Sequence, residues 1–159
     1  MTIRTTLLLI GSVALALWIG FIGSFFTMSA IPGWYAGLVK PALNPPSYVF
    51  GPVWTVLYVF MGIAAFRVYL KRAKAPLLAR KALALYGAHL LVNLSWSLIF
   101  FGGKNIEAAL AVIVLLAAMI AVLMLFFSRI DKTAGLLMAP YLFWVIFATY
   151  LNASILMLN

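Results

Sequence analysis

Three kinds of residue are missing or scarce in this chain of 159 residues: it has no cysteine, only two acids (Glu107 and Asp131) and a single histidine, His89. Without cysteine there is no disulfide, thiolate metal centre, iron–sulfur cluster or thiol nucleophile. With two carboxylates and one imidazole, mechanisms that need paired acids or several metal-binding histidines lack their parts. Charge of either sign is thin, at 8% of residues, whereas 67% are hydrophobic. A soluble domain is typically about half apolar and about a quarter charged. So short a chain has too much surface for its volume to hide two thirds of its residues from water. A disordered chain would need the opposite composition. The remaining class is a membrane protein.

A bilayer core of roughly 30 Å takes about 20 apolar residues as helix. Five segments meet that requirement: Thr6–Met28, Phe50–Tyr69, Ala82–Phe101, Ala108–Ser128 and Ala134–Leu158. The fold class expected is an all-α membrane protein, a single domain over residues 1–159. Arg4 ahead of a leucine-rich run, with Ala14-Leu15-Ala16 behind it, imitates a secretory signal. The apolar stretch continues to Met28, too long for a signal core, so it reads as a retained helix. Positive residues select the cytoplasmic side. Placing the loop between helices 2 and 3 inside collects Arg4, Lys71, Arg72, Lys74, Arg80, Lys81, Arg129 and Lys132 there, against Lys40 and Lys104 outside. The N-terminus is then inside and the C-terminus outside. This topology, with attraction to anionic lipid, accounts for the net charge of +9. Nucleic-acid binding needs a basic folded surface that the sequence does not offer.

The connection between helices 1 and 2 holds five of the seven prolines: Pro32, Pro41, Pro45, Pro46 and Pro52. Proline fixes φ and biases its predecessor towards extended backbone, so the stretch reads as a stiff, non-helical cap, with Pro52 in the first turn of helix 2. Trp34, Tyr35 and Tyr48 lie in the same stretch. They fit the aromatic belt of a membrane interface, and they equally fit a lid over a cavity between helices.

Residues three or four apart share a helix face. Helix 2 gives the stripe Trp54, Tyr58, Met61, Ala65; helix 3 gives His89, Asn93, Trp96, Phe100; helix 5 gives Tyr141, Trp144 or Val145, Ala148, Asn152. Each joins an aromatic group to a polar group inside an apolar span, so these faces should point into the bundle. Interhelical hydrogen bonding and aromatic packing would explain them, as would a ligand site, since indole faces suit a flat apolar macrocycle. His89 admits two readings, a hydrogen-bonded packing residue and an iron ligand. Glu107 suits the positive end of helix 4, and Asp131, between Arg129 and Lys132, reads as a solvated loop charge. Small residues at Ala16, Gly20 and Ser24, at Ala84 and Ala88, and at Ala117 and Ala121 mark close helix approach, which serves packing inside the bundle or a dimer seam, the former being the default expectation.

Three blocks occur in order: Trp34-Tyr35-x-x-Leu38-x-Lys40-Pro41-x-x-x-Pro45-Pro46 followed by Pro52-x-Trp54-x-x-Leu57-Tyr58; Asn93-x-x-Trp96-Ser97-x-x-Phe100-Phe101; and Pro140-Tyr141-x-x-Trp144-x-x-Phe147-Ala148-Thr149-x-Leu151-Asn152. Together they resemble the signature of the TspO/translocator protein family, the tryptophan-rich sensory proteins and peripheral-type benzodiazepine receptors. The resemblance covers essentially the whole chain. It implies a five-helix bundle, often a homodimer, with a ligand cavity beneath the helix 1–2 connection. It also implies a receptor or carrier for porphyrins such as protoporphyrin IX, with porphyrin or haem as ligand rather than required cofactor, and no catalytic or metal residues. Carried across, the ligand-binding positions are Tyr35, Pro45, Trp54, Tyr58, Asn93, Trp96, Trp144 and Ala148. Lys40 could meet a propionate carboxylate, although a solvated interface charge explains it equally simply.

Two departures qualify the resemblance. Ala42-Leu43 stands where family members often carry tryptophan, and the cholesterol-recognition segment of animal members is absent after Leu151. Sterol transport is therefore not expected, and a bacterial membrane is. Two other functions are compatible with the residues: light-dependent breakdown of bound porphyrin, in which the porphyrin is the photosensitiser, and transport of small solutes. The near absence of acids within the spans weighs against proton-coupled transport.

Overall fold

The computed structural model describes residues 2–159. Five long helices carry the chain back and forth: α1 Ile3–Ala30, α2 Ser47–Leu70, α3 Pro76–Ser97, α4 Ile106–Ile130 and α5 Lys132–Leu158. Wide π turns extend α1 over Ile31–Tyr35 and α3 over Leu98–Gly102, and a short 3-10 turn, Arg72–Lys74, joins α2 to α3. All five helices are long and apolar enough to cross a membrane. No strand occurs among the described residues.

The ends of the helices follow from local chemistry. Asn105 caps α4 by accepting the Ala108 N–H at 2.9 Å. Asp131 caps α5 by accepting from the Thr133 and Ala134 N–H groups at 2.8 and 3.1 Å. Pro76 opens α3, where its missing N–H leaves no bond unmade. α3 therefore begins six residues before the expected Ala82 and includes Arg80 and Lys81. Likewise α2 begins at Ser47, so Pro52 falls in its second turn, not its first.

The connection between α1 and α2 also differs from the expected non-helical cap. Pro32, Trp34 and Tyr35 sit in the π turn that prolongs α1. Proline has no N–H for the α ladder, and the wider turn accommodates that break without ending the helix. The irregular linker shrinks to residues 38–46.

α4 and α5 form the most extensive helix pair, followed by α1 with α2 and α3 with α4. Met61, Ile113, Leu116, Ile120, Leu123, Phe127, Met138 and Tyr141 are fully buried between the helices. Leu7, Trp18, Phe25, Leu125 and Phe143 lie on the outside, each more than half exposed. Large apolar side chains on both inside and outside suit a surrounding solvent of acyl chains. α1 and α2 cross tightly at Gly62, where an added Cβ would come within 2.6 Å of the Val13 Cα. The Ser12 hydroxyl donates to the Gly62 carbonyl at 2.7 Å across the same crossing.

The small residues divide between roles. Ala16 is buried, and Gly20 packs directly beneath the Tyr58 ring. Ala84 and Ala88 are exposed on the outer face of α3, contrary to the expected internal packing. Ala117 and Ala121 are half-buried.

Asp131 is no solvated loop charge. It is 3% exposed, and its Oδ2 lies 2.6 Å from Lys71 Nζ and 3.0 Å from Arg67. Burial alone would raise its pKa. Hydrogen bonds from Lys71, the Ala134 N–H and Arg67, with the Arg67 charge, outweigh that and hold the carboxyl well below its ordinary 3.8. One carboxylate thus ties the end of α2 to the junction of α4 and α5. Its position in a cation-rich loop concealed this, because the partners come from the end of α2, Arg67 lying 64 residues away.

Candidate functional site

The faces of α2, α3 and α5 that carry the aromatic and polar stripes, together with α1, enclose a cavity of about 570 Å³. Tyr58 and Asn93 line it, as do Trp54, Trp96, Phe100 and Ala148; Tyr35 and Ile155 also contribute. Tyr35 and Phe100, with Ala109 and Ile155, form a small second core. Tyr35 donates its hydroxyl to Asn44 Oδ1 at 3.0 Å, tying the π turn of α1 to the linker. Asn159 holds the same linker from α5, its side-chain amide exchanging 3.0 Å bonds with the Val39 N–H and carbonyl.

The cavity is open on the side between α1 and α2. Phe21, Met28 and Tyr48 line it there and are 51%, 71% and 79% exposed. These residues lie on membrane-spanning helices or at the start of one. Against the opposite wall, aromatic rings form a near-parallel series. Trp54 and Trp96 are 6.4 Å apart at 29°, and Trp96 and Phe100 are 5.4 Å apart at 26°. Trp54 is also 5.7 Å from Tyr58. Such a series offers continuous apolar faces with the indole N–H at an edge.

Buried polar groups around the cavity are linked. Tyr58 donates to Asn93 Oδ1 at 2.6 Å, and Asn93 Nδ2 donates to the Tyr141 oxygen at 2.8 Å. Tyr141 lies 3.2 Å from His89 Nε2, and His89 Nδ1 lies 2.9 Å from the Tyr86 carbonyl. Trp96 Nε1 donates to Asn152 Oδ1 at 3.2 Å, and Asn152 donates onward to the Ile106 carbonyl at 2.9 Å. In an apolar span each such pairing removes the cost of an unmet polar group.

Six of the eight residues singled out in the sequence line this one cavity: Tyr35, Trp54, Tyr58, Asn93, Trp96 and Ala148. Pro45 belongs to the linker, and Trp144 is half-buried on α5, packed against the core with its indole N–H buried and unpartnered among the described residues; neither is on the lining. Trp144 packs against Phe50 and Phe147, with ring centroids 6.0 and 5.7 Å away, and Val145 takes the fully buried position beside it. Lys40 donates to the Ala36 and Leu38 carbonyls at 3.2 and 2.9 Å and stands 4.9 Å above the Tyr35 ring, off the lining. His89 is fully buried with both ring nitrogens engaged, and it too is off the lining. Its arrangement is that of a hydrogen-bonded packing residue.

The sequence missed the contribution of α1. Phe21, Ser24 and Thr27 line the cavity, as does Ser97 from α3. Ser24 and Gly20, a small-residue pattern in the sequence, serve the cavity and a tyrosine ring.

Comparison with known proteins agrees with this architecture. The profile of the TspO/MBR family matches residues 12–158. The tryptophan-rich protein TspO of Chlorobaculum tepidum is 45% identical over 147 residues, 92% of each chain. The tryptophan-rich sensory protein of Cereibacter sphaeroides is 41% identical over 79% of this chain and 77% of its own. The human translocator protein is 36% identical over 83% of this chain and 78% of its own. The chain is a multi-pass membrane protein that belongs to the TspO/MBR family.

Proposed function

We propose that the protein is a receptor or carrier that binds porphyrins of the protoporphyrin IX type, non-covalently, in the cavity between α1, α2, α3 and α5. The observation that carries this reading is the series of near-parallel rings, Trp54, Trp96 and Phe100, along one wall of an apolar cavity. Its volume of about 570 Å³ falls within the roughly 300–1,000 Å³ of small-molecule sites. A flat macrocycle gains most from such a wall, through offset stacking and contact area. Entry is sideways from the acyl layer through the gap between α1 and α2, beneath a linker held by Asn44 and Asn159. The excess of cations around the α2–α3 loop and α4–α5 junction supports an N-terminus on the cytoplasmic side of the membrane. The exposed small residues Ala84 and Ala88 offer a face on which α3 could meet a second copy in a homodimer.

Ala148 provides the test. It is 7% exposed and forms part of the cavity wall. The larger side chain of an Ala148→Leu variant would project into the space a ring needs. Titrating purified protein in nanodiscs against protoporphyrin IX, followed by porphyrin absorbance, should give saturable one-to-one binding in the wild type. In Ala148→Leu the affinity should fall about tenfold or more, equivalent to about 1.4 kcal/mol. Unsaturable uptake by the wild type, or equal binding by both proteins, contradicts the assignment.

A further inference from the structure

A second hollow, of about 620 Å³, lies outside the cavity, between the last turns of α1 and the π turn that prolongs α3. It is at the end of the bundle away from the cation-rich α2–α3 loop. Its lining is graded along the helices. Phe26 and Leu98 lie deepest in the apolar spans, Trp34 and Gly102 come later on the same two elements, and Lys104 follows in the loop beyond. From Phe26 to Trp34 the chain advances roughly 10 Å along the axis. The hollow is therefore apolar at depth and cationic at its mouth. That gradient matches an amphiphile and not a free anion.

Lys104 is the only charged group on the lining. It is exposed and makes no hydrogen bond or ion pair among the described residues. Glu107, three residues on, is neither on the lining nor paired with it. Lys40, the other cation at this end, already donates to the Ala36 and Leu38 carbonyls. Ser29, also on the lining, has given its hydrogen to the Phe26 carbonyl at 3.0 Å. The backbone adds a second observation. Lys104 has a φ of 53°, the one non-glycine residue with positive φ among those described. Glycine or asparagine takes that conformation at lower cost. The turn is pinned on both sides, since the Gly103 N–H donates to the Leu98 carbonyl at 2.7 Å and the Asn105 N–H to the Ile99 carbonyl at 3.1 Å. A lysine is thus held, against its local preference, at the mouth of the hollow.

We propose that this hollow binds an anionic phospholipid, its phosphate on Lys104, Trp34 at the level of its ester groups and an acyl chain over Phe26 and Leu98. Tryptophan favours that depth in a bilayer, and basic pockets between membrane helices suit lipid head groups. A zwitterionic lipid carries its own cation beside the phosphate, so a lone ammonium selects a lipid of net negative charge. The site is separate from whatever occupies the larger cavity.

Protein labelled with 15N-glycine in phosphatidylcholine nanodiscs tests this, as phosphatidylglycerol replaces part of the lipid. Gly33 and Gly102 lie on the hollow, whereas Gly62 is buried at the crossing of α1 and α2 and serves as reference. In the wild type the Gly33 and Gly102 amide signals should shift saturably while Gly62 stays still. Lys104→Gln should need about fivefold more phosphatidylglycerol for half-saturation, the scale of one cation near a charged surface. An unmoved Gly62 signal shows that this variant is folded. Lys74→Gln, which removes a cation at the opposite end, should leave the curve unchanged. Glycerol phosphate added to phosphatidylcholine discs should move neither signal. No saturable shift in the wild type, or the same curve in Lys104→Gln, overturns the proposal. An equal response to glycerol phosphate would make this a plain anion site. Signals that follow the number of protein copies per disc, and not the lipid, would mean that a second copy covers the hollow. Either result also overturns it.

Discussion

Replacing Asp131 with alanine is expected to lower the stability of the folded bundle by about 2–3 kcal/mol. Two losses combine. The first turn of α5 loses a side chain that accepts from the Thr133 and Ala134 N–H groups, and removal of such a cap costs about 0.5–2 kcal/mol. Arg67 and Lys71 lose their shared carboxylate. Their side chains remain 35% and 40% exposed, so water screens them and this loss falls short of the roughly 3–5 kcal/mol of a fully buried pair. Asp131→Asn keeps a capping oxygen and should cost about half as much. Thermal unfolding in detergent measures both variants. The same residue sets a pH dependence. Because its pKa is lowered on folding, the unfolded chain binds the proton more readily, and stability rises with pH through that range. The contribution is complete above the ordinary 3.8 and is withdrawn as pH falls below it towards the folded value. Asp131→Asn should flatten this acid limb. An unaltered acid profile in Asp131→Asn would show that the ion pairs contribute nothing.

Trp54→Ala is expected to weaken protoporphyrin IX binding about thirtyfold, corresponding to about 2 kcal/mol, the scale of a buried aromatic anchor. Trp54 stands where the ring series meets Tyr58, and it also touches Tyr141 at 6.1 Å between centroids. Its removal takes away a stacking face and widens the cavity. Trp144→Ala should change affinity less than about threefold, because that ring packs on Phe50 and Phe147 outside the lining. Porphyrin absorbance is the appropriate readout, since it does not depend on the tryptophans being replaced. Equal losses in the two variants would detach the binding site from the ring series.

Much of this arrangement was legible from hydropathy and helical spacing. Five apolar runs became five helices, and the stripes Trp54–Tyr58, Asn93–Trp96 and Tyr141–Ala148 converged as side chains three or four apart must. What escaped depended on neighbours distant in sequence. Asp131 looks like a loop charge until Arg67 and Lys71 arrive from α2. Trp144 and Val145 are adjacent on one helix, and only the packing of α5 against its neighbours decides which turns inward. Proline marks a break in the α ladder, but it does not distinguish a loop from the π turn that carries Tyr35 over the cavity. Gly62 carries no sequence signal, and its role comes from the approach of α1.

The most direct measurement is an experimental structure of the protein prepared with protoporphyrin IX. The expected result is macrocycle density between α1, α2, α3 and α5, in contact with Trp54 and Trp96 and reached from the gap lined by Phe21 and Tyr48. Density confined to the outer surface of the bundle, with the interior cavity empty, would contradict the assignment.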